Sequence, residues 1–174
     1  GGIAGGADVI LIPEIPFSWA PGFGQVHERQ SLHKRFTIVC VAEGARLPDG
    51  TEVVAQMDAR RTDPKRLGGV GVVVARAIEA GTGHETRATV LGHLQRGGAP
   101  TVSDRVLATS FGAAAAHCAV RGDSGVMVAV RNGAIVPVPI AEAVAGQRTV
   151  PPGPDLGAAA RALGTCFGDR VPGG

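Results

Sequence analysis

The residues best suited to chemistry in this 174-residue chain gather in one stretch, TRATVLGHLQRGGAPT, residues 86–101. It reads as a strand, a glycine turn and a helix start. Gly92, Gly97 and Gly98 allow backbone N–H groups to come close to a ligand, and Arg96 offers a planar fork for phosphate oxygens. His93 shares the turn, and the helix that follows adds partial positive charge at its N-terminus. Such a group binds a phosphate or a similar oxyanion. The blander alternative is that the glycines serve only the turn, because strand–glycine–helix turns occur throughout α/β folds. Arg87 lies across a strand from His93 and does not share its pocket trivially. Glu14 follows a short buried run and Pro13, where a carboxylate suits a sugar hydroxyl or a cation. Glu43 occupies the same place after the next strand, as a weaker candidate.

Other polar residues carry less. His27 and His33 fall in a charged surface stretch, and His84 and Glu85 read as loop residues. His117 and Cys118 sit within a long helical pattern and read as packing. The Gly69–Val70–Gly71 triplet is half of a dinucleotide fingerprint, but no strand precedes it. No G-K-[ST], G-x-S-x-G or H-E-x-x-H pattern occurs, and no carboxylates pair at glycosidase-like spacing. Cys40, Cys118 and Cys166 lie far apart without a C-x-x-C, which disfavours a disulfide framework or zinc site and fits a reducing cytoplasm.

Composition narrows the partners. Hydrophobic residues make up 44% and charged residues 18%, enough apolar material for a core in one ordinary domain. Five Phe, one Trp and no Tyr argue against a stacking platform for single-stranded nucleic acid. A net charge of +2 is too mild for a nucleic-acid groove or a membrane-surface patch. Apolar runs fall well short of the roughly 18 residues that a membrane span needs. The chain starts at Gly1 rather than Met, which suggests a fragment or a processed product.

The elements that must position these residues follow from periodicity. Residues 8–12 (DVILI) and 35–42 (RFTIVCVA) read as buried strands. Pro21, Gly22 and Gly24 should delay any helix between them until about Gln25. Residues 46–67 read as a polar surface loop or excursion. Val70, Val73, Val74, Ala77 and Ile78 recur at helical spacing, with Gly81 and Gly83 ending that helix. Residues 86–91 read as a third strand, and Thr101 with Asp104 opens a long helix to about Val120. Strands at 126–130 and 135–138 and a short helix at 139–145 follow, and no role is assigned beyond Val150. This alternation predicts an α/β fold with a mostly parallel sheet, whose ligands sit at the carboxyl ends of strands.

The segments GGADVILIPE (5–14), VAEGA (41–45), GVG (69–71) and 85–109 together resemble the C-terminal half of bacterial 6-phosphofructokinases, including the actinobacterial branch that uses ATP or pyrophosphate. The resemblance runs from about Gly2 to Val150 and is most specific from Thr86 to Thr109. It implies a three-layer phosphofructokinase-like fold, here incomplete: residues 1–98 as part of the fructose 6-phosphate lobe, 99–150 returning to the donor lobe, and 151–174 as a tail. It implies transfer of a phosphoryl group from ATP to fructose 6-phosphate in glycolysis, giving fructose 1,6-bisphosphate. The alternatives are a pyrophosphate-dependent enzyme or a non-catalytic sugar-phosphate-binding fragment. By the same resemblance Glu14 meets sugar hydroxyls, Arg87 reaches the 6-phosphate of a neighbouring subunit, and His93 and Arg96 hold the sugar phosphate in their own. Lys34 and Arg35 fall where some members bind an allosteric phosphate effector. The family's donor glycine loop and catalytic Asp are not found among these residues, so no catalytic residue and no metal ligand is assigned. Mg²⁺ with ATP or pyrophosphate is expected mainly on the missing half, in a cytoplasmic dimer or tetramer with a shared active site. The excursion at 46–67 is longer than in short members, and residues 18–33 differ from the helix and glycine expected there. The chain alone is expected to be inactive, to expose an apolar face and to aggregate.

Overall fold

The computed structural model describes residues 1–57, 65–67, 69–146, 149–150 and 154–170. The chain forms two compact units, Gly1–Val90 with Val150–Gly174, and Leu91–Thr149. The division at 98 and 150 stays a proposal about lobes; the compact units part at Val90 and Val150.

The first unit is built around β1 (Val9–Leu11) and β2 (Val39–Val41), which pair in parallel with Val9 opposite Val39. Parallel strands need a crossover, and α1 (Trp19–Ser31) supplies it. This helix starts earlier than its proline and glycines suggest. Pro21 is its third residue, where the backbone N–H has no intrahelical acceptor, so a proline costs no hydrogen bond there. The polar stretch after β2 is not all loop: β3 (Val54–Met57) and β4 (Lys65–Leu67) form an antiparallel ribbon within it. Residues 58–64, also part of the expected excursion, lie outside the described residues. Helix α2 (Val70–Thr82) begins at Gly69 and ends at Gly83, both with positive φ, and it buries Val70, Val74, Ala75 and Ile78.

These elements share one apolar core of Val9, Leu11, Phe17, Val26, Ala45, Val70, Val74, Ile78 and Cys166. Trp19 packs edge-on to Phe17 at 5.3 Å and stacks on Phe23 at 6.1 Å along the outside of that core. The tail, to which the sequence assigned nothing, completes it. After α5 (Pro154–Ala162), Cys166 makes a parallel bridge to Val9, so the tail lies on the free edge of β1. The Ile10 N–H donates to the Cys166 carbonyl at 2.8 Å, and the Cys166 N–H donates to Asp8 at 2.9 Å. Gly168 then turns at φ +75°, where a Cβ would stand 2.6 Å from Phe17 Cβ. Burial pushes the Cys166 thiol up, which keeps it in its protonated, inert form.

The second unit holds a 3₁₀ turn (Gly92–Arg96), α3 (Val102–Arg121), β5 (Val126–Arg131), β6 (Ala134–Pro139) and α4 (Ile140–Val144). Strands β5 and β6 form a hairpin around Asn132 and Gly133, both with positive φ as a tight turn requires. Parallel pairing among the described residues thus belongs to β1, β2 and the Cys166 bridge, while the two ribbons are antiparallel. The strand expected at 86–91 does not form. Its threonines, Val90 and Leu91 suit a strand, but no neighbouring strand among the described residues offers them a ladder, and Arg87–Leu91 are exposed. No helix among the described residues is long and apolar enough to cross a membrane.

Candidate functional site

The residues singled out in the sequence fall into two groups, one in each unit. In the second unit, His93 and Arg96 stand three apart on the 3₁₀ turn. Three residues make one turn of such a helix, so both side chains project to the same side. Both are exposed, and among the described residues neither has a hydrogen-bond or ion-pair partner. Gly97 ends the turn in extended backbone and Gly98 takes φ +100°. Helix α3 then opens on a complete capping box. Thr101 Oγ1 accepts from the Asp104 N–H at 3.2 Å, and Asp104 Oδ2 accepts from the Thr101 N–H at 2.8 Å. The bonds from the Thr101 backbone and side chain hold the Asp104 carboxyl below the usual carboxylate range. This box fixes where the helix starts, three residues beyond Gly98, and so stiffens the segment that carries Arg96.

In the first unit, Lys34, Arg35 and Arg87 line one cleft of about 410 Å³, together with Gln30, His84 and Glu85. Lys34 and Arg35 follow α1, and Arg87 follows α2, so the packing of the two helices against each other brings them to one cleft. The opposing walls are tied by His84 Nε2 and Gln30 Oε1 at 2.9 Å. Arg87 is not idle: its Nε and Nη2 both donate to Glu85 Oε1, at 3.0 and 2.7 Å. That pair is exposed and therefore weak, so a ligand phosphate can displace the carboxylate. Sequence reasoning placed Arg87 apart from Lys34 and Arg35, and the cleft joins them. A separation of more than fifty residues hid this from any local pattern.

Glu14 sits beyond the carboxyl end of β1, outside that cleft. Its Oε1 accepts the Val150 N–H at 2.9 Å, and its Oε2 is buried without a partner among the described residues. Glu43, beyond the end of β2, is exposed. Among the described residues no three His, Cys, Asp or Glu side chains come together as a metal site would require.

The chain matches the family described as Phosphofructokinase over residues 1–119. It is 49% identical over 170 residues to the ATP-dependent 6-phosphofructokinase of Spirochaeta thermophila, covering 98% of this chain and 46% of that protein. It is also 49% identical over 152 residues to the pyrophosphate–fructose 6-phosphate 1-phosphotransferase of Amycolatopsis methanolica, covering 87% and 44%. The crystal structure of Pichia pastoris phosphofructokinase in the T-state aligns with a TM-score of 0.54 at 33% identity, over 83% of this chain and 14% of that one. The chain therefore spans a little under half the length of the curated relatives it matches. A family match across more than half the chain, with these relatives beside it, makes this chain a member of the phosphofructokinase family.

Proposed function

We propose that this chain is the sugar-phosphate-binding part of a 6-phosphofructokinase, which transfers a phosphoryl group from ATP to the 1-hydroxyl of fructose 6-phosphate. The observation that carries the proposal is the placement of His93 and Arg96, exposed and without a partner among the described residues, on one side of a turn that leads into a capped helix. Two donors on one side suit the oxygens of one phosphate, and the arginine fork supplies two of the bonds. Arg87 is proposed to meet the 6-phosphate of a neighbouring subunit, which asks for a homodimer or homotetramer with a shared site. Lys34 and Arg35 are proposed to hold a phosphate-bearing effector. Two carboxylates are candidates for the sugar hydroxyls. Glu43 is exposed and free to accept, whereas Glu14 holds the Val150 N–H on one oxygen and buries the other, so a sugar hydroxyl would have to reach it there.

Phosphoryl transfer is mainly positioning and electrostatic stabilisation, with Mg²⁺ and the donor phosphates set against the acceptor hydroxyl. None of the residues of this chain is proposed to hold the metal or to touch the reacting atoms. Their part is to hold the sugar phosphate so that its 1-hydroxyl is presented in one orientation. Donor and Mg²⁺ are assigned to the portion of the relatives' length that this chain does not span, and the protein is placed in the cytoplasm. Pyrophosphate is the second reading for the donor, favoured by the equal identity to the Amycolatopsis enzyme. The test is turnover of the native protein isolated from its own cells, assayed with fructose 6-phosphate and either ATP or pyrophosphate. Faster turnover with ATP supports the first reading, faster turnover with pyrophosphate the second, and none with either contradicts both.

A further inference from the structure

We infer that Arg29 and Asp8 are a positioning pair that sets the Lys34–Arg35 wall of the cleft, and through it the cleft's affinity for an anion. The inference rests on the reading of Lys34 and Arg35 as phosphate ligands. Apolar burial does not hold this wall, because Leu32 is 61% exposed and Phe36 67%. A closed ring of polar contacts does. Arg29 Nη1 pairs with Asp8 Oδ1 at 2.7 Å, while Arg29 Nη2 donates to the Phe36 carbonyl at 3.2 Å. The Lys34 N–H donates to the Arg29 carbonyl at 3.0 Å, and Asp8 Oδ2 accepts the Ile38 N–H at 2.7 Å. The side chains of Arg29 and Asp8 thus fasten the chain just after Lys34 and Arg35, at Phe36 and Ile38, while the backbone bond from the Lys34 N–H to the Arg29 carbonyl fixes it just before them.

The helix end sets the direction in which the wall leaves α1. His33 takes φ +56° as the left-handed residue after the C-cap, its N–H on the Gln30 carbonyl and the Lys34 N–H on the Arg29 carbonyl. The Arg29–Asp8 pair is also the least exposed ion pair among the described residues, at 22% and 12%. Stability alone is a poor account of it. Arg29 Nε is buried without a partner among the described residues, and a well-packed apolar pair serves stability as well as such an ion pair does. What an apolar pair lacks is the fork that reaches Asp8 and the Phe36 carbonyl together. A lysine at position 29 keeps the charge but reaches one acceptor at a time.

The experiment titrates inorganic phosphate into the full chain by calorimetry at low salt, with a thermal melt of each variant. Lys34→Ala with Arg35→Ala weakens phosphate binding by about ten-fold or more, as expected for lost charge-assisted bonds. Arg29→Lys weakens it by about three- to ten-fold, because the cations remain but their spacing loosens. Added to the Lys34→Ala, Arg35→Ala background, Arg29→Lys changes affinity no further, while its effect on the melt is the same in both backgrounds. That non-additivity is the signature of acting through the wall rather than through global stability. Asp8→Asn keeps the size of the side chain and can still accept from Ile38, so it serves as a second variant where Arg29→Lys does not fold. An Arg29→Lys protein that melts lower but binds phosphate like the wild type overturns the inference, as does an equal loss in both backgrounds. Unchanged binding in Lys34→Ala, Arg35→Ala alone instead removes the anion reading of the cleft, and the positioning role with it.

Discussion

Glu14 and Glu43 show how far a residue's type determines its role. Both follow a parallel strand, and both are carboxylates at the end of the sheet where ligands bind in α/β folds. Their surroundings separate them. Glu14 accepts from Val150 and buries its other oxygen, whereas Glu43 is exposed. We expect Glu43→Gln to weaken fructose 6-phosphate binding by about ten-fold, the worth of one charge-assisted hydrogen bond, and Glu14→Gln to weaken it less. Calorimetric titration of both variants decides this, and a larger loss at Glu14 returns the sugar contact to that residue. The sequence offers His93, Arg96 and the glycines beside a helix start as a proposed phosphate site, a pattern that a plain strand–glycine–helix turn also produces. It cannot show that Glu14 is already engaged, since its partner lies 136 residues away.

Among the elements, helix α3 was the most legible, because Thr101 and Asp104 state its start in the sequence and the cap forms as written. Removing it with Thr101→Ala should cost about 1 kcal/mol of stability, read from chemical denaturation of the unit that contains it. The cap should also respond to acid. Asp104 titrates below the usual carboxylate range when folded, so its contribution is complete above the unfolded value and is lost as pH falls through the depressed folded value. A Thr101→Ala protein should therefore lose less stability between pH 5 and about pH 3 than the wild type does. Elsewhere the sequence was less informative, for physical reasons. Pro21 looked like a helix breaker because composition does not say which turn of a helix a proline occupies. Residues 86–91 looked like a strand because strand-forming residue types do not say whether a partner edge exists. The tail looked featureless because a short strand such as that around Cys166 carries almost no pattern of its own. Gly168→Ala tests the tail directly. Its Cβ would meet Phe17 Cβ at 2.6 Å and Leu11 Cδ2 at 2.9 Å, at φ +75°. Overpacking and a strained φ together should cost about 2–4 kcal/mol and lower the melting temperature of the first unit. A melt unchanged from wild type would show that the tail does not sit on β1.

At the scale of the whole molecule, the second unit buries little. On α3 only Cys118 is buried, while Val102 is 78% exposed, Val120 88%, and Val106 and Leu107 are exposed as well. Apolar surface of this extent favours association, so the chain by itself should self-associate in a concentration-dependent way and bind a hydrophobic dye. Light scattering across a dilution series checks it, and a monodisperse monomer at high concentration would contradict it. The central claim is narrower: these residues recognise the phosphate of a phosphorylated sugar. The measurement that tests it most directly is a calorimetric comparison of fructose 6-phosphate with unphosphorylated fructose, using the native protein isolated from its own cells and its Arg96→Ala variant. The account predicts that fructose 6-phosphate binds, that fructose does not, and that Arg96→Ala weakens the former by about ten- to a hundred-fold through loss of the bidentate contact. Equal binding of the two sugars, or an Arg96→Ala chain that binds as the wild type does, would contradict it.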